Sequence, residues 1–236
     1  MKKIELYTFV YNDEDFLPFF LKYYSTIVDK MTFIDSGSTD RTLELLKDYE
    51  VLQTGLTWWD WDALHGIRNS IWRDSKFDLV FFPDLDEIFY RPNLRDFLEE
   101  NNYDVYQLEG YQMIADRFPY KDEDILSYNK GIPLPLHNKY TIFNPRKNIV
   151  FSDAHNIVKN PGLQINKFCI KLLHYKYLGA KRMTERAGII RDRIPRGSYT
   201  RNINGNVLKI FPKYISSYDE YKVEIDGLME IAKKVI

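Results

Sequence analysis

Apolar positions follow two rhythms over residues 4–90. Short stretches rich in apolar residues predict strands at Ile4–Tyr11, Met31–Ile34, Val51–Leu56 and Leu79–Phe82, the second buried and the last wholly apolar. Between them, apolar residues recur at helical spacing. The stretch through Phe19, Phe20 and Tyr23 predicts a helix, with Pro18 tolerable only in its first turn. Thr42–Tyr49, carrying Leu43, Leu45 and Leu46, and Asp62–Ser75 predict two more. Strand–helix alternation with wholly apolar strands is the signature of a parallel sheet covered by helices, so the expected class is α/β.

After Phe89 the rhythm changes. Leu94–Glu100 reads as a short helix, and Val105–Met113, Tyr140–Phe143 and Phe168–Tyr175 read as strands joined by longer loops. Arg182–Arg193 and Tyr218–Val235 read as helices. Pro195–Pro212 is polar, holds two glycines and reads as a loop able to close over a ligand. With no repeat, low-complexity tract or linker, the expectation is one domain over 1–236, divided into segments 1–90, 91–180 and 181–236.

Composition narrows the classes. Hydrophobic residues make up 44% of the 236, enough for a core without disulfides. The formal net charge of -1 gives no basic field for nucleic acid. Cys169 is the sole cysteine, which fits a reducing compartment. The opening MKKIELYTFVYNDE resembles an export signal only in its basic start; Glu5 interrupts it and no small-residue cleavage site follows, so a first strand explains it better. No run reaches the length that spans a bilayer. A cytoplasmic protein is the expectation, with peripheral membrane contact left open.

In an open parallel sheet, ligands bind beyond the carboxyl ends of the strands. Three turns fall there: Tyr11-Asn-Asp-Glu14, Asp35-Ser-Gly-Ser-Thr-Asp40 and Asp84-Leu-Asp-Glu87. Singly, each is as well explained by helix capping; together on one rim they suggest a site. Asp84 and Asp86, at i and i+2, would point to the same side of an extended chain. Two such carboxylates need a cation to stay ionised together, and Mg²⁺ or Mn²⁺ suits them and is often shared with substrate phosphates.

Here a resemblance emerges. Ile34-Asp35-Ser-Gly-Ser-Thr-Asp40-Arg41-Thr42 resembles the second-strand motif of family 2 glycosyltransferases. Asp84-Leu85-Asp86 is similar to their Asp-x-Asp motif, and Ala63-Leu-His-Gly-Ile-Arg68-Asn69 to the helix preceding it. The likeness covers roughly residues 4–90. It implies a GT-A fold, a Rossmann-like, mostly parallel sheet flanked by helices with an acceptor-side C-terminal extension. It also implies a UDP- or GDP-sugar donor, a Mn²⁺ or Mg²⁺ cofactor, and transfer to a glycan, lipid-linked or protein acceptor, inverting by analogy. Residues 1–90 would then bind the nucleotide-sugar, 91–180 would serve the acceptor, and 181–236 would be a helical extension. Phe9 and Tyr11 would line the nucleotide pocket, Asp35 would meet the base, and Arg68 would lie by the ribose or phosphates. Asp84 and Leu85 would contact the donor, and Asp86 would hold the metal. The family often has two acidic residues before its Gly-Ser-Thr-Asp stretch, whereas Asp35 stands alone here, which leaves the base open. His174, at the end of an apolar strand, resembles the downstream metal ligand of GT-A enzymes; by itself it reads equally as a core histidine.

An inverting transfer needs a base for the acceptor hydroxyl. Asp153 or His155 is the expectation, with Glu109 and Asp116 as rivals. Trp58, Trp59 and Trp61 could form a stacking platform or pack a helix onto the sheet. Lys139, Arg146, Lys181, Arg182 and Arg186 are weaker candidates for anion binding. A nucleotidyltransferase or methyltransferase would want glycines after the first strand, and they are absent. A non-catalytic sugar- or nucleotide-binding protein on the same fold is the other alternative.

Overall fold

A computed structural model describes residues 1–56, 60–158, 160–193, 200–203, 206–209 and 217–236. Trp58 and Trp59 lie outside the described residues, as does most of Pro195–Pro212. The chain forms two compact units: Met1–Gly55 with Trp61–Gln112 and Pro133–Tyr175, and Leu56–Asp60 with Met113–Ile132 and Lys176–Ile236.

The first unit is the expected α/β arrangement. β1 (Ile4–Val10) pairs in parallel with β2 (Lys30–Asp35) on one side and β4 (Leu79–Phe81) on the other, and β2 pairs in parallel with β3 (Glu50–Gln53). The helices between them are α1 (Leu17–Tyr24), the short α2 (Thr42–Leu45) and α3 (Trp61–Ser70). Register places Val10 beside Asp35 and Leu6 beside Phe81, so all three carboxyl ends reach one rim. β3 is mostly exposed, whereas the apolar residues of β1, β2 and β4 are the reason those strands lie inside, with Ile4, Leu6, Phe33, Val80, Phe81 and Phe82 all fully buried. Each such side chain contributes about 1.5–3 kcal/mol relative to exposure.

Beyond β4 the sheet turns antiparallel. β5 (Glu87–Tyr90) begins at once after the acidic turn, followed by α4 (Leu94–Glu100) and β6 (Val105–Ala115), whose residues through Gln112 belong to this unit. β8 (Ile142–Phe143) joins β4 to β6. β9 (Ile165–Leu178) pairs with β5 so that Glu87 faces His174. β5 was not expected; four residues directly after an acidic turn carry too little periodicity to announce a strand. α1 fixes it: Tyr23 Oη donates to the Phe89 carbonyl at 2.8 Å, and Tyr24 Oη donates to the Glu87 carbonyl and accepts from the Phe89 N–H, both at 3.0 Å. The strand-like run Asn148–Phe151 is reduced to a single bridge, Phe151 to Ile157.

In the second unit, β7 (Lys130–Pro133) precedes α5 (Ala180–Arg193), the pair β10 (Thr200–Ile203) and β11 (Asn206–Lys209), and α6 (Tyr218–Ile231). Met183 and Ala187 of α5 pack with Tyr221 and Ile225 of α6 and with Ile114 and Tyr177. α6 starts at a capping box between Ser217 and Glu220. It stops at Ile231, short of Val235, because β12 (Lys233–Lys234) pairs with β7 instead. Among the described residues no helix is long and apolar enough to cross a membrane.

Candidate functional site

The turns after β1 and β2 are tied together. Asn12, in the left-handed region at φ 50, accepts the Thr39 N–H at 2.7 Å, and its own N–H donates to Ser38 Oγ at 3.0 Å. Asp35 is fully buried, and its carboxylate accepts N–H groups from Gly37 (2.9 Å) and Ser38 (3.1 Å). Its visible role is therefore to shape its own turn. Tyr11 N–H donates to Asp13 at 2.8 Å, while the Phe9 ring leans on Phe82 at 5.6 Å.

The third turn carries the charge. Asp84-Leu85-Asp86 is not extended: the Glu87 N–H donates back to the Asp84 carbonyl at 3.0 Å, closing a turn. The i, i+2 rule for an extended chain therefore does not apply, and the two aspartates meet different partners. Asp84 Oδ1 accepts from Arg68 Nη2 at 3.0 Å and Oδ2 from Lys139 Nζ at 2.5 Å. Arg68 is buried with its guanidinium 4.3 Å over the Phe82 ring. Lys139 also reaches Glu87 Oε1 at 2.6 Å; the Lys139 and Glu87 side chains are 1% and 0% exposed, whereas Asp84 is 42% exposed at the rim. Burial pushes the Asp84 carboxyl up, but the Lys139 and Arg68 charges outweigh it and hold it well below the usual carboxylate range. Glu87 is likewise lowered, burial being overcome by Lys139, and Lys139 is raised because its two carboxylates overcome its burial. Leu85, between the aspartates, is buried.

Asp86 faces β9. Its Oδ2 lies 3.6 Å from His174 Nε2, and its carbonyl accepts the Tyr175 N–H at 2.8 Å. Gln112 fixes the imidazole. The His174 carbonyl can only accept, so Gln112 Nε2 donates to it at 2.8 Å; Gln112 Oε1 then faces Nδ1, also at 2.8 Å, and Nδ1 must carry the proton. The Nε2 lone pair is left pointing toward Asp86. Burial depresses the His174 pKa to about 4, so the ring is neutral near pH 7.

Two ligands about 2.1 Å from a shared ion lie no more than about 4.2 Å apart. The Asp86–His174 pair meets that limit, and Asp86, 29% exposed, is open to a ligand. Glu87, His137 and His174 form another group whose ligand atoms lie within 4.8 Å of one another, but Lys139 already holds the Glu87 oxygen. The residues present thus fit a divalent ion best at Asp86 and His174.

His137, Lys139 and Gln112 went unrecognised or underrated in the sequence. The segment bearing the first two is drawn onto β6: the Leu134 N–H donates to the Gly110 carbonyl and the Leu108 N–H to the Lys139 carbonyl, both at 2.8 Å. Gly110 allows this approach, since a Cβ there would stand 2.6 Å from the Leu134 carbonyl oxygen. The His137 ring lies against that of His174, tilted at 4.3 Å, and meets that of His155 edge-on at 5.0 Å. Asp153 is exposed, and its carboxylate accepts from the N–H groups of His155 (2.7 Å) and Asn156 (2.8 Å) and from the Asn156 side chain. His155 Nδ1 meets the Leu136 carbonyl, so Nδ1 carries the proton and Nε2 the lone pair. Burial, then the Lys139 charge, lowers the His155 pKa. Asn69, beside Arg68, pairs with both main-chain groups of Phe151, at 2.8 and 3.1 Å.

No family model matches the chain, and no curated protein matches it in sequence. Solved structures do. The chain is similar to the crystal structure of S. aureus TarS 1-349, at 16% identity and a TM-score of 0.49, covering 83% of this chain and 66% of that one. It thus spans slightly less than two thirds of that chain. It is also similar to glucosyl-3-phosphoglycerate synthase from Mycobacterium tuberculosis. The complex with Mn²⁺, UDP-glucose and phosphoglyceric acid matches at 14% identity and a TM-score of 0.46, covering 89% and 88% of the two chains. The complex with Mg²⁺ and UDP matches at 15% and 0.47, covering 88% and 86%. At such identities and TM-scores these likenesses fix no activity for this chain.

Proposed function

We propose that the chain is a divalent-metal-dependent glycosyltransferase of GT-A type that moves a sugar from a nucleoside diphosphate to an acceptor hydroxyl. The observation that carries this reading is the Asp86–His174 pair, with the lone pair of a fixed neutral imidazole aimed at a carboxylate 3.6 Å away. Asp86 lies on the turn between β4 and β5, at the carboxyl-end rim of a parallel sheet, and His174 faces it from β9. Asp86 and His174 would hold the ion, which when bound would neutralise charge on the departing diphosphate.

The rest falls to the chain's own groups. Asp84, kept ionised by Arg68 and Lys139, offers its exposed face as an acceptor for a donor hydroxyl. Arg68 and Lys139 stiffen that carboxylate, so it is oriented before the donor arrives. Phe9 and Tyr11 stand at the end of β1, where the nucleoside would lie, and Asp35 maintains the turn beside them. His155 is the better base of the two expected: its Nε2 lone pair is unprotonated, whereas the Asp153 carboxylate is spent on its own turn. His155 would take the acceptor proton as the hydroxyl oxygen attacks the anomeric carbon, with inversion. The donor is a UDP- or GDP-sugar and the acceptor a glycan, lipid-linked or protein hydroxyl.

The test is a thermal-shift series with UDP, GDP and CDP, each with and without Mn²⁺. Stabilisation by a nucleoside diphosphate only when the metal is present supports the reading. Indifference to every nucleotide would refute it and leave a binding protein of another kind.

A further inference from the structure

The turn that carries His155 is closed at its stem by one bridge, Phe151 to Ile157. The ladder bonds come from the neighbours of that pair: the Ser152 N–H donates to the Asn156 carbonyl at 3.0 Å and the Val158 N–H to the Val150 carbonyl at 2.7 Å. In such a pair the bridging residues' own N–H and C=O point out of the ladder. Phe151 is 1% exposed, so both of its groups need partners within the protein. Side chains of α3 supply them. The Phe151 N–H donates to Asn69 Oδ1 at 2.8 Å, and its carbonyl accepts from Asn69 Nδ2 at 3.1 Å and from His65 Nε2 at 2.9 Å. A carbonyl can only accept, so His65 carries its proton on Nε2.

The same turn of α3 holds Arg68, whose Nη2 donates to Asp84 Oδ1 at 3.0 Å. His65, Arg68 and Asn69, at i, i+3 and i+4, lie along one side of the helix. One helical turn is thus bonded to the carboxylate proposed to meet the donor and to the stem of the turn that bears the proposed base. We infer that the His65–Asn69 clamp on Phe151 sets His155 against the donor, a step that rests on His155 as the base and goes beyond it. Both are positioning residues: they act through the Phe151 main chain and serve the attack on the donor rather than its binding. At the tip of the turn, His155 Nδ1 meets the Leu136 carbonyl, and the Tyr140 N–H donates to the His155 carbonyl at 3.2 Å. Those contacts aim the Nε2 lone pair only while the stem keeps its place. A misplacement of about 1 Å arising away from the chemistry can cost about 10²-fold in rate.

The experiment is nuclear magnetic resonance of protein isotope-labelled in its four histidine rings, with binding of UDP in the presence of Mn²⁺ measured by calorimetry on the same proteins. The variants are Asn69→Ala and His65→Phe, and a His155→Gln protein assigns the His155 signals. In the wild type the His155 ring should be the Nδ1–H tautomer. In Asn69→Ala its Nε2–H form should rise about tenfold, the factor that corresponds to one lost hydrogen bond. His174 should stay Nδ1–H, and the affinity for UDP with Mn²⁺ should stay within about twofold, as for a separate site. His65→Phe deletes one of the three bonds and should move His155 the same way by less; it carries the test where Asn69→Ala does not melt cooperatively. A clamp that only stabilises the fold would leave the His155 ring unchanged in every folded variant. That result overturns the inference and leaves the base and metal readings standing. Loss of UDP affinity in step with the His155 change overturns it too, because the clamp would then serve the donor. A wild type whose His155 carries its proton on Nε2 overturns the base reading, and the inference with it.

Discussion

Gln112 grips His174 at two points, its Oε1 on the ring N–H and its Nε2 on the main-chain carbonyl, each at 2.8 Å. The ring cannot turn without breaking the Nδ1–H bond to Oε1, nor move its proton to Nε2 without setting two acceptors, Nδ1 and Oε1, against each other. Outer partners of this kind typically set metal affinity by about 10–100-fold. Gln112→Leu should therefore weaken Mn²⁺-dependent UDP binding by that order in calorimetry. It should also cost about 1–3 kcal/mol in urea unfolding, from the buried N–H left without a partner. Unchanged UDP affinity would remove the orienting role.

Asp86→Asn separates charge from shape. The side chain is part-exposed, so the free protein should unfold within about 0.5 kcal/mol of wild type. The stabilisation that UDP and Mn²⁺ confer together should vanish in a thermal melt.

Asn69 satisfies both main-chain groups of Phe151, whose ring lies 5.9 Å from the Arg68 guanidinium. Asn69→Ala leaves a buried main-chain N–H unpaired and should cost about 1–3 kcal/mol, measured by denaturant titration.

Gly110 leaves room for the segment that carries His137 and Lys139. A Cβ would stand 2.6 Å from the Leu134 oxygen and 2.7 Å from the His137 carbonyl. Gly110→Ala should cost about 1–3 kcal/mol by overpacking and should also weaken metal-dependent nucleotide binding, read by the same calorimetry.

Asp29 gives a pH prediction far from the site. Burial pushes its carboxyl up, but the Ile4 N–H, Lys3 and Arg95 outweigh it, so its pKa falls below the ordinary 3.8. A depressed carboxylate contributes stability that is full above the unfolded-state pKa and is lost as pH falls through the folded one. Asp29→Asn should thus be less stable than wild type at pH 7, and the difference should close below about pH 4, followed by chemical denaturation across pH.

The parallel half was legible because its strands are short, rich in apolar residues and alternate with helical stretches, and a wholly apolar run such as Leu79–Phe82 has nowhere to go but the core. Leu94–Glu100 was legible to the residue. Asp84 and Asp86 could be singled out because they follow an apolar strand at a predictable end, and His174 because it closes the apolar pair Leu172-Leu173, although β9 runs on past it to Leu178. Lys139 and Gln112 could not. Lys139 lies 55 positions from Asp84, and Gln112 lies 62 from His174; nothing local in Leu134-Pro-Leu-His-Asn-Lys139 announces that it folds back on β6. The two aspartates were expected to share one cation because an extended chain was assumed. A turn at Leu85 divides them, and a turn of this length has no hydrophobic period to reveal it.

The two tyrosine hydroxyls of α1 that clasp the main chain of β5 have a mechanical consequence. β4 is flanked by paired strands on both sides and β5 is pinned by the helix, so the acidic link between them is a short tether with both ends nailed down. A ligand arriving there meets a rigid template. Adjustment must come from the ligand, or from side chains pivoting in place, and not from the backbone folding around it.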